Sequence, residues 1–267
     1  MIASNKLKMG KWNKVNAFIR SLFSITMLLN KEIINRCSQY SMISDRSFCE
    51  LIKIVRSLEK NSVEGVFVEC GVWKGGACMA LALAQLKFST PKREIWLYDT
   101  FKGMTRPQLE YDGSKAVKKY GDIKTGKHRD RYDKWHNEKE WIFSPIEITK
   151  ENMYSTSYPK DKIKFIEGDV LKTLNDTCPE KIALLRLDTD WYNSTKKELE
   201  ILSSLIEIGG YLIIDDYYAW QGARKATDEF MLLNKNKYVI VDDVPPNPII
   251  FKKISNEEGV QTNRDRA

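Results

Sequence analysis

Val66-Phe67-Val68-Glu69-Cys70-Gly71-Val72-Trp73-Lys74-Gly75-Gly76 is the stretch on which the fold turns. A short apolar run closes on Gly71, Gly75-Gly76 follow, and an Ala- and Leu-rich segment to about Leu86 reads as a buried helix. The pattern is strand, glycine turn, helix. Moving outward, Ile95-Trp96-Leu97-Tyr98 ends in Asp99, and Ile163-Lys164-Phe165-Ile166 ends in Glu167-Gly168-Asp169. Ile182 to Leu187 ends in Asp188-Thr189-Asp190, and Tyr211 to Ile214 ends in Asp215-Asp216. Five continuous apolar runs separated by helical patterns argue for βαβ units and a parallel α/β sheet buried on both faces. Tyr238 to Val241 and Ile249 to Phe251, joined across Pro245, Pro246 and Pro248, look like a closing pair of strands.

The flanks are less regular. Residues 44 to 60 place Phe48, Leu51, Ile52, Ile54, Val55 and Leu58 at helical spacing, with Ser44 or Asp45 as the cap, which predicts a covering helix. Before it, Lys6, Lys8, Lys11 and Lys14 precede an apolar stretch from Leu22 to Leu29 that loosely imitates a signal peptide. Arg20 interrupts it, no small-residue cleavage site follows, and it is too short to span a bilayer. The expectation is an amphipathic helix that packs on the body or on a second subunit, the latter making a homo-oligomer. A weak peripheral membrane contact is the lesser alternative. Residues 102 to 160 are rich in charge and aromatics (Tyr111, Tyr120, Tyr132, Trp135, Trp141, Tyr154) and hold both histidines, His128 and His136, which suggests an inserted lid. The expected division is an N-terminal helical cover over 1–60, a catalytic domain over 61–255 with the lid at about 102–160, and a tail over 256–267.

At 267 residues and 42% hydrophobic content the chain can build one sizeable domain. The 43 Lys and Arg against 36 Asp and Glu leave a formal charge of +7, which permits attraction to anionic partners without choosing one. Five cysteines, Cys37, Cys49, Cys70, Cys78 and Cys178, show no CxxC and no metal-ligand spacing, so buried thiols in the cytoplasm are expected.

Ligands of open α/β sheets bind beyond the carboxyl ends of the strands, so acids recurring there outline a crevice. Around Glu69-Cys70-Gly71, the GK[ST] ending of a P-loop and the GxGxxG of a dinucleotide site are both missing. Glu-x-Gly suits an amino-bearing ligand such as the methionine part of S-adenosylmethionine, although a plain glycine turn reads equally well. Asp99, 30 positions after Glu69, stands where such folds accept hydrogen bonds from ribose hydroxyls. Gly168-Asp169 could receive an adenine amino group. If the strands ending in Asp188 and in Asp215-Asp216 are neighbours, about 4.8 Å apart, three carboxylates meet. Such a cluster calls for a cation, and hard oxygens without Cys or His fit Mg²⁺, or Mn²⁺ or Ca²⁺, better than Zn²⁺. Thr195-x-x-Glu198 reads as the capping box of the following helix, leaving the aspartates for other work.

Together with Asp99-Thr100-Phe101-Lys102-Gly103, the Val68 to Gly76 run, Leu185-Arg186-Leu187-Asp188-Thr189-Asp190-Trp191-Tyr192-Asn193-Ser194-Thr195 and Gly209-Gly210-Tyr211-Leu212-Ile213-Ile214-Asp215-Asp216-Tyr217 resemble the macrocin O-methyltransferase family of antibiotic sugar methyltransferases. The likeness spans about residues 60 to 235. It implies a Rossmann-like class I methyltransferase fold with a mostly parallel seven-stranded sheet and helices on both faces. It also implies S-adenosylmethionine as donor, Mg²⁺ on Asp188, Asp215 and Asp216, and Asp190 or Asp188 as general base. Glu69, Gly71, Asp99 and Asp169 would hold the donor, and the neighbouring Trp73, Gly75, Gly76, Thr100, Phe101 and Gly168 are expected with them. Trp191, Tyr192, Tyr217 and Tyr218 would form a wall facing a sugar-containing small molecule or glycan. The chain departs from the family pattern at Trp191, where Leu is commoner, and in the 102–160 stretch.

Three other readings compete. Asp188-Thr189-Asp190 also imitates the DxD of nucleotide-sugar glycosyltransferases, which leaves Glu69-x-Gly71 with Asp99 unexplained. A non-sugar acceptor is the second. A nucleic-acid amino methyltransferase would show an Asp-Pro-Pro-type motif after the fourth strand, where this chain has Asp188-Thr189-Asp190-Trp191, so no nucleic acid partner is expected.

Overall fold

A computed structural model describes residues 27–126 and 141–257. Residues 22–26 of the N-terminal apolar stretch, the lysines before it, Arg20, Tyr132, Trp135, both histidines and the end of the tail lie outside the described residues. The chain is helical over 27–37 (α1), where Ile33, Ile34 and Cys37 join the core while Leu28 and Leu29 stay exposed. Helix α2 (Asp45–Lys60) starts where expected, because the Ser44 hydroxyl accepts the Ser47 amide at 3.1 Å, and its apolar stripe from Phe48 to Leu58 is buried. Helix α3 (Gly76–Phe88) has almost no polar face and is buried all round from Gly76 to Ala82.

Seven strands, β1 (Val66–Cys70), β2 (Ile95–Asp99), β3 (Ile163–Glu167), β4 (Ile182–Leu187), β5 (Ile206–Ile214), β6 (Tyr238–Asp242) and β7 (Ile249–Lys253), form one sheet in the order β3-β2-β1-β4-β5-β7-β6. The first five are parallel, and β7 runs antiparallel to both neighbours. The order reverses at β1, which opens a crevice between the β1 and β4 tips where a ligand can enter. Period-two alternation sorts the side chains. Phe67, Leu184, Tyr211 and Ile213 pack with α2 and α3 on one face. Val68, Cys70, Leu185, Leu187 and Leu212 pack on the other, against α7 (Tyr192–Leu202). Helix α8 (Gln221–Asn234) packs beside α7.

Two expectations are corrected, the start of β5 and the capping box. Strand β5 begins at Ile206 instead of Tyr211, since Gly209-Gly210 looks like a turn in sequence yet sits inside the strand, near a register shift against β4. The described part of the 102–160 stretch contains α4 (Leu109–Lys124), kinked at Gly113, and α5 (Ile146–Ser155), whose buried Met153 packs on the core beside α3. Thr195-x-x-Glu198 is not a capping box. Trp191 is the N-cap, which places Thr195 in the first turn and turns Glu198, with no exposed surface, into the interior. All five cysteines are free thiols, four of them buried.

Candidate active site

A cavity of about 290 Å³ opens at the carboxyl ends of the parallel strands, near the lower end of the size range of small-molecule sites. One side is formed by Glu69, Gly71, Val72, Trp73, Asp99, Thr100, Gly168 and Asp169, the other by Asp188, Thr189, Asp190, Asp215 and Asp216. Met104, Thr105, Lys119, Trp141 and Trp220 also line it, so the 102–160 stretch contributes to the walls.

On the β1 side the chain is held tightly. Gly71 has φ +82°, and a Cβ there would sit 1.9 Å from the Asp188 carbonyl oxygen, so the glycine lets the chain leaving β1 pass against the backbone leaving β4. Asp99 accepts the amides of Val72 (2.7 Å), Trp73 (3.0 Å) and Phe101 (2.7 Å), tying the loop after β1 to the loop after β2. Burial raises its pKa, opposed by those three amides. Helix α5 fixes the same loop from outside: Thr149 donates to the Trp73 carbonyl at 2.7 Å and Asn152 to the Lys74 carbonyl at 2.9 Å. Gly75, Gly76 and Phe101 do not line the cavity. A Cβ on Gly76 would lie 2.6 Å from the Tyr40 carbonyl, so that glycine serves the packing of α3 against the segment before α2. Asp169 lines the cavity and caps α6 (Val170–Thr173), accepting the Leu171 amide at 3.0 Å.

The acids of β4 and β5 meet. Leu187 and Ile214 are in register, so the following residues emerge side by side, and one carboxylate oxygen from each of Asp188, Asp215 and Asp216 lies within 4.8 Å of the others. Asp188 and Asp215 keep 27% and 20% of their side-chain surface open. Behind them lies Arg186, a residue to which the sequence assigned no role. Its guanidinium is 2% exposed and donates to Glu69, to Asp188 at 2.8 Å and to Asp215 at 2.5 Å. Glu69 also accepts the Cys78 thiol at 2.7 Å. No signal other than the sheet register could have revealed this: Arg186 and Glu69 are cross-strand partners.

Asp190 is buried with φ +64°, and its amide donates to Asp216 at 3.2 Å. With no cation present, burial pushes its pKa up to about 8, helped by Asp188 and Asp215. Burial raises Asp215 to about 6 against the pull of Arg186, and raises Asp216 well above the carboxylate range, with Asp190 as the next cause. Glu198, pushed by burial to about 8, accepts the Thr189 hydroxyl at 3.1 Å beneath the same loop. An all-carboxylate set open to the cavity has the chemistry of a hard divalent site, with Arg186 cancelling only part of its charge.

The aromatics expected to face the acceptor, Trp191, Tyr192, Tyr217 and Tyr218, do not line the cavity. Tyr192 points away, its hydroxyl donating to Glu229 and its ring stacked 4.5 Å from Tyr111. Tyr217 donates to Asp228 and Tyr218 to Asp243. Trp191, pinned by its indole N–H to the Thr105 carbonyl at 2.9 Å, stands behind the lining and packs 5.8 Å from Trp141 and 5.2 Å from Trp220, which do face the cavity.

Known proteins share the sequence pattern and the fold of this chain. Residues 35–244 match the model of the macrocin-O-methyltransferase (TylF) family. Over 205 residues, 77% of the chain, it is 28% identical to demethyldecarbamoylnovobiocin O-methyltransferase of Streptomyces niveus, covering 71% of that protein. It is 25% identical over the same length to mycinamicin III 3''-O-methyltransferase of Micromonospora griseorubida, covering 74% of it. The fold is similar to that of the O-methyltransferase NovP, with a TM-score of 0.68 at 22% identity over 81% of this chain and 83% of that one. A calicheamicin methyltransferase gives a TM-score of 0.54 at 18% identity over 83% and 91%. The chain belongs to the macrocin-O-methyltransferase family and is an O-methyltransferase.

Proposed function

We propose that the chain moves a methyl group from S-adenosylmethionine to a sugar hydroxyl of a glycoside, polysaccharide or nucleotide sugar, assisted by a hard divalent cation. The observation that carries this reading is the meeting of Asp188, Asp215 and Asp216 across one cavity from the Glu69-Gly71 turn and Asp99. Glu69, Gly71, Trp73, Asp99, Thr100, Gly168 and Asp169 are the donor-side residues that line the cavity. A relative 28% identical over 205 residues, the 8-demethyl-8-(2,3-dimethoxy-alpha-L-rhamnosyl)-tetracenomycin-C 4'-O-methyltransferase of Streptomyces olivaceus, carries a rhamnosyl group in the name of its acceptor, which supports the acceptor class. Family membership argues against the DxD glycosyltransferase alternative.

Asp188, Asp215 and Asp216 would hold the cation, which lowers the pKa of an acceptor hydroxyl when bound. Transfer forms a bond from the acceptor oxygen to the methyl carbon and breaks the carbon–sulfur bond, so the sulfur leaves neutral and the hydroxyl proton must go to a base. Asp190 suits that role, since it is buried beside the cluster, lines the same cavity and has its own amide on Asp216. Asp188 is the alternative, but its carboxylate already accepts from Arg186. The walls supplied by Trp141 and Trp220 would exclude water and align the acceptor.

The test incubates the protein with labelled methyl donor, a panel of nucleotide sugars and glycans, and Mg²⁺ or a chelator, and reads transfer by mass. The reading requires a methylated sugar with Mg²⁺ and little with chelator. Transfer by Asp215→Asn at the wild-type rate with unchanged metal dependence would remove its basis.

A further inference from the structure

We infer that Arg186 is a positioning residue that joins the donor side of the site to the cation side, so that one buried guanidinium sets both. The inference rests on the cation and donor reading above and adds to it a residue that reaches neither ligand itself.

The sheet register brings the groups together. Glu69 on β1 and Arg186 on β4 are register partners, and Asp188 and Asp215 continue the same face of β4 and β5 at the next outward position. Three carboxylates from three strands therefore converge on one point of that face. Left alone they would repel, and each would turn toward water or splay the strand ends. Arg186 fills the point instead. One terminal nitrogen donates to Glu69 and Asp188 and the other to Asp215, with the side chain 2% exposed. The planar fork is what makes this possible: an ammonium on a flexible stem gives a point charge and no fixed angle between its partners. Cys78 holds the remaining side of Glu69. Asp188 and Asp215 keep their open surface toward the cavity, which leaves oxygen lone pairs for a cation on the side away from Arg186. Glu69 likewise lines the cavity while paired from behind. The donor-side acid and two of the three cation-side acids thus take their orientation from one side chain.

The experiment measures two affinities by calorimetry, S-adenosylhomocysteine in chelator and Mn²⁺ alone, in wild type, Arg186→Lys and Arg186→Met. Arg93→Lys serves as a control, because Arg93 is also a buried arginine paired with an acid, Glu59, but it lies at the opposite end of the sheet. Both affinities should fall at least tenfold in the Arg186 variants and stay within threefold in the control. Folded Arg186 variants with either affinity within threefold of wild type would overturn the proposal, since a merely structural ion pair lowers melting temperature without moving two separate sites. Should both Arg186 variants fail to fold, the joint is read from its ends. Glu69→Gln must then weaken Mn²⁺ and Asp215→Asn must weaken S-adenosylhomocysteine, each at least threefold, and an unmoved far ligand overturns it. Wild type that binds neither probe contradicts the function proposed above, whereas wild type that binds both, with Arg186 variants unchanged, contradicts only the role of Arg186.

Discussion

Single residues at the strand tips line the cavity, and several were legible because the sequence writes them at the ends of apolar runs. Asp188, Asp215 and Asp216 needed only the assumption that two runs are neighbours, and they meet. Arg186 and Glu198 were not legible, because a buried charge takes its meaning from a partner on another strand or loop, and local spacing does not name that partner. The glycine of the turn is a sharp case: Gly71→Ala forces both a left-handed alanine and an overlap with the Asp188 carbonyl. It should cost roughly 2 kcal/mol or more, read as a lower midpoint in urea unfolding. Asp190→Asn should keep the fold, as Asn tolerates positive φ, and lower kcat by about 10²–10⁴ in a transfer assay. The raised acids also set a pH dependence. Asp190 and Glu198, near 8, and Asp215, near 6, hold protons in the folded state that the unfolded chain releases above about pH 4. Stability without a cation therefore falls as pH rises from about 4 toward 8. A cation competes with those protons, so the rise in melting temperature on adding Mg²⁺ should be larger at pH 8 than at pH 6. An increment independent of pH would contradict the assignment.

At the scale of elements, continuous apolar runs made the strands readable, while the segments between them misled wherever polar surface hid a structural role. Helix α5 lies in the stretch expected to form a lid, and its Thr149 and Asn152 reach inward to hold the loop after β1, a role that its local spacing does not show. Thr149→Val leaves the Trp73 carbonyl without that donor and should cost about 1–3 kcal/mol. The same variant should weaken S-adenosylhomocysteine binding in calorimetry, and unchanged affinity would separate α5 from the donor loop. Tyr192 and Tyr217 follow strand ends in sequence but turn to partners on α8, which local spacing does not show. Trp191 instead braces Trp141 and Trp220 from behind. Trp191→Leu should therefore raise the acceptor KM while leaving donor affinity as it was, a split that steady-state kinetics with one acceptor resolves.

The whole molecule combines a mostly parallel sheet, whose order reverses between β1 and β4, with acids placed where that reversal opens a crevice. The strand order could not be read from the runs themselves, which fix what is buried but not which run lies beside which. The closing pair β6 and β7 was anticipated, and its antiparallel insertion next to β5 completes the seven-stranded sheet. Among the described residues no helix is long and apolar enough to cross a membrane. The proposed chemistry depends on a cation held between the β4 and β5 tips beside the donor. An anomalous difference map from a crystal grown with Mn²⁺ and S-adenosylhomocysteine tests this most directly. The predicted result is one metal peak within coordination distance of Asp188, Asp215 and Asp216, with the homocysteine end of the ligand near Glu69. A crystal with the ligand in place and no metal peak at those three aspartates would contradict it.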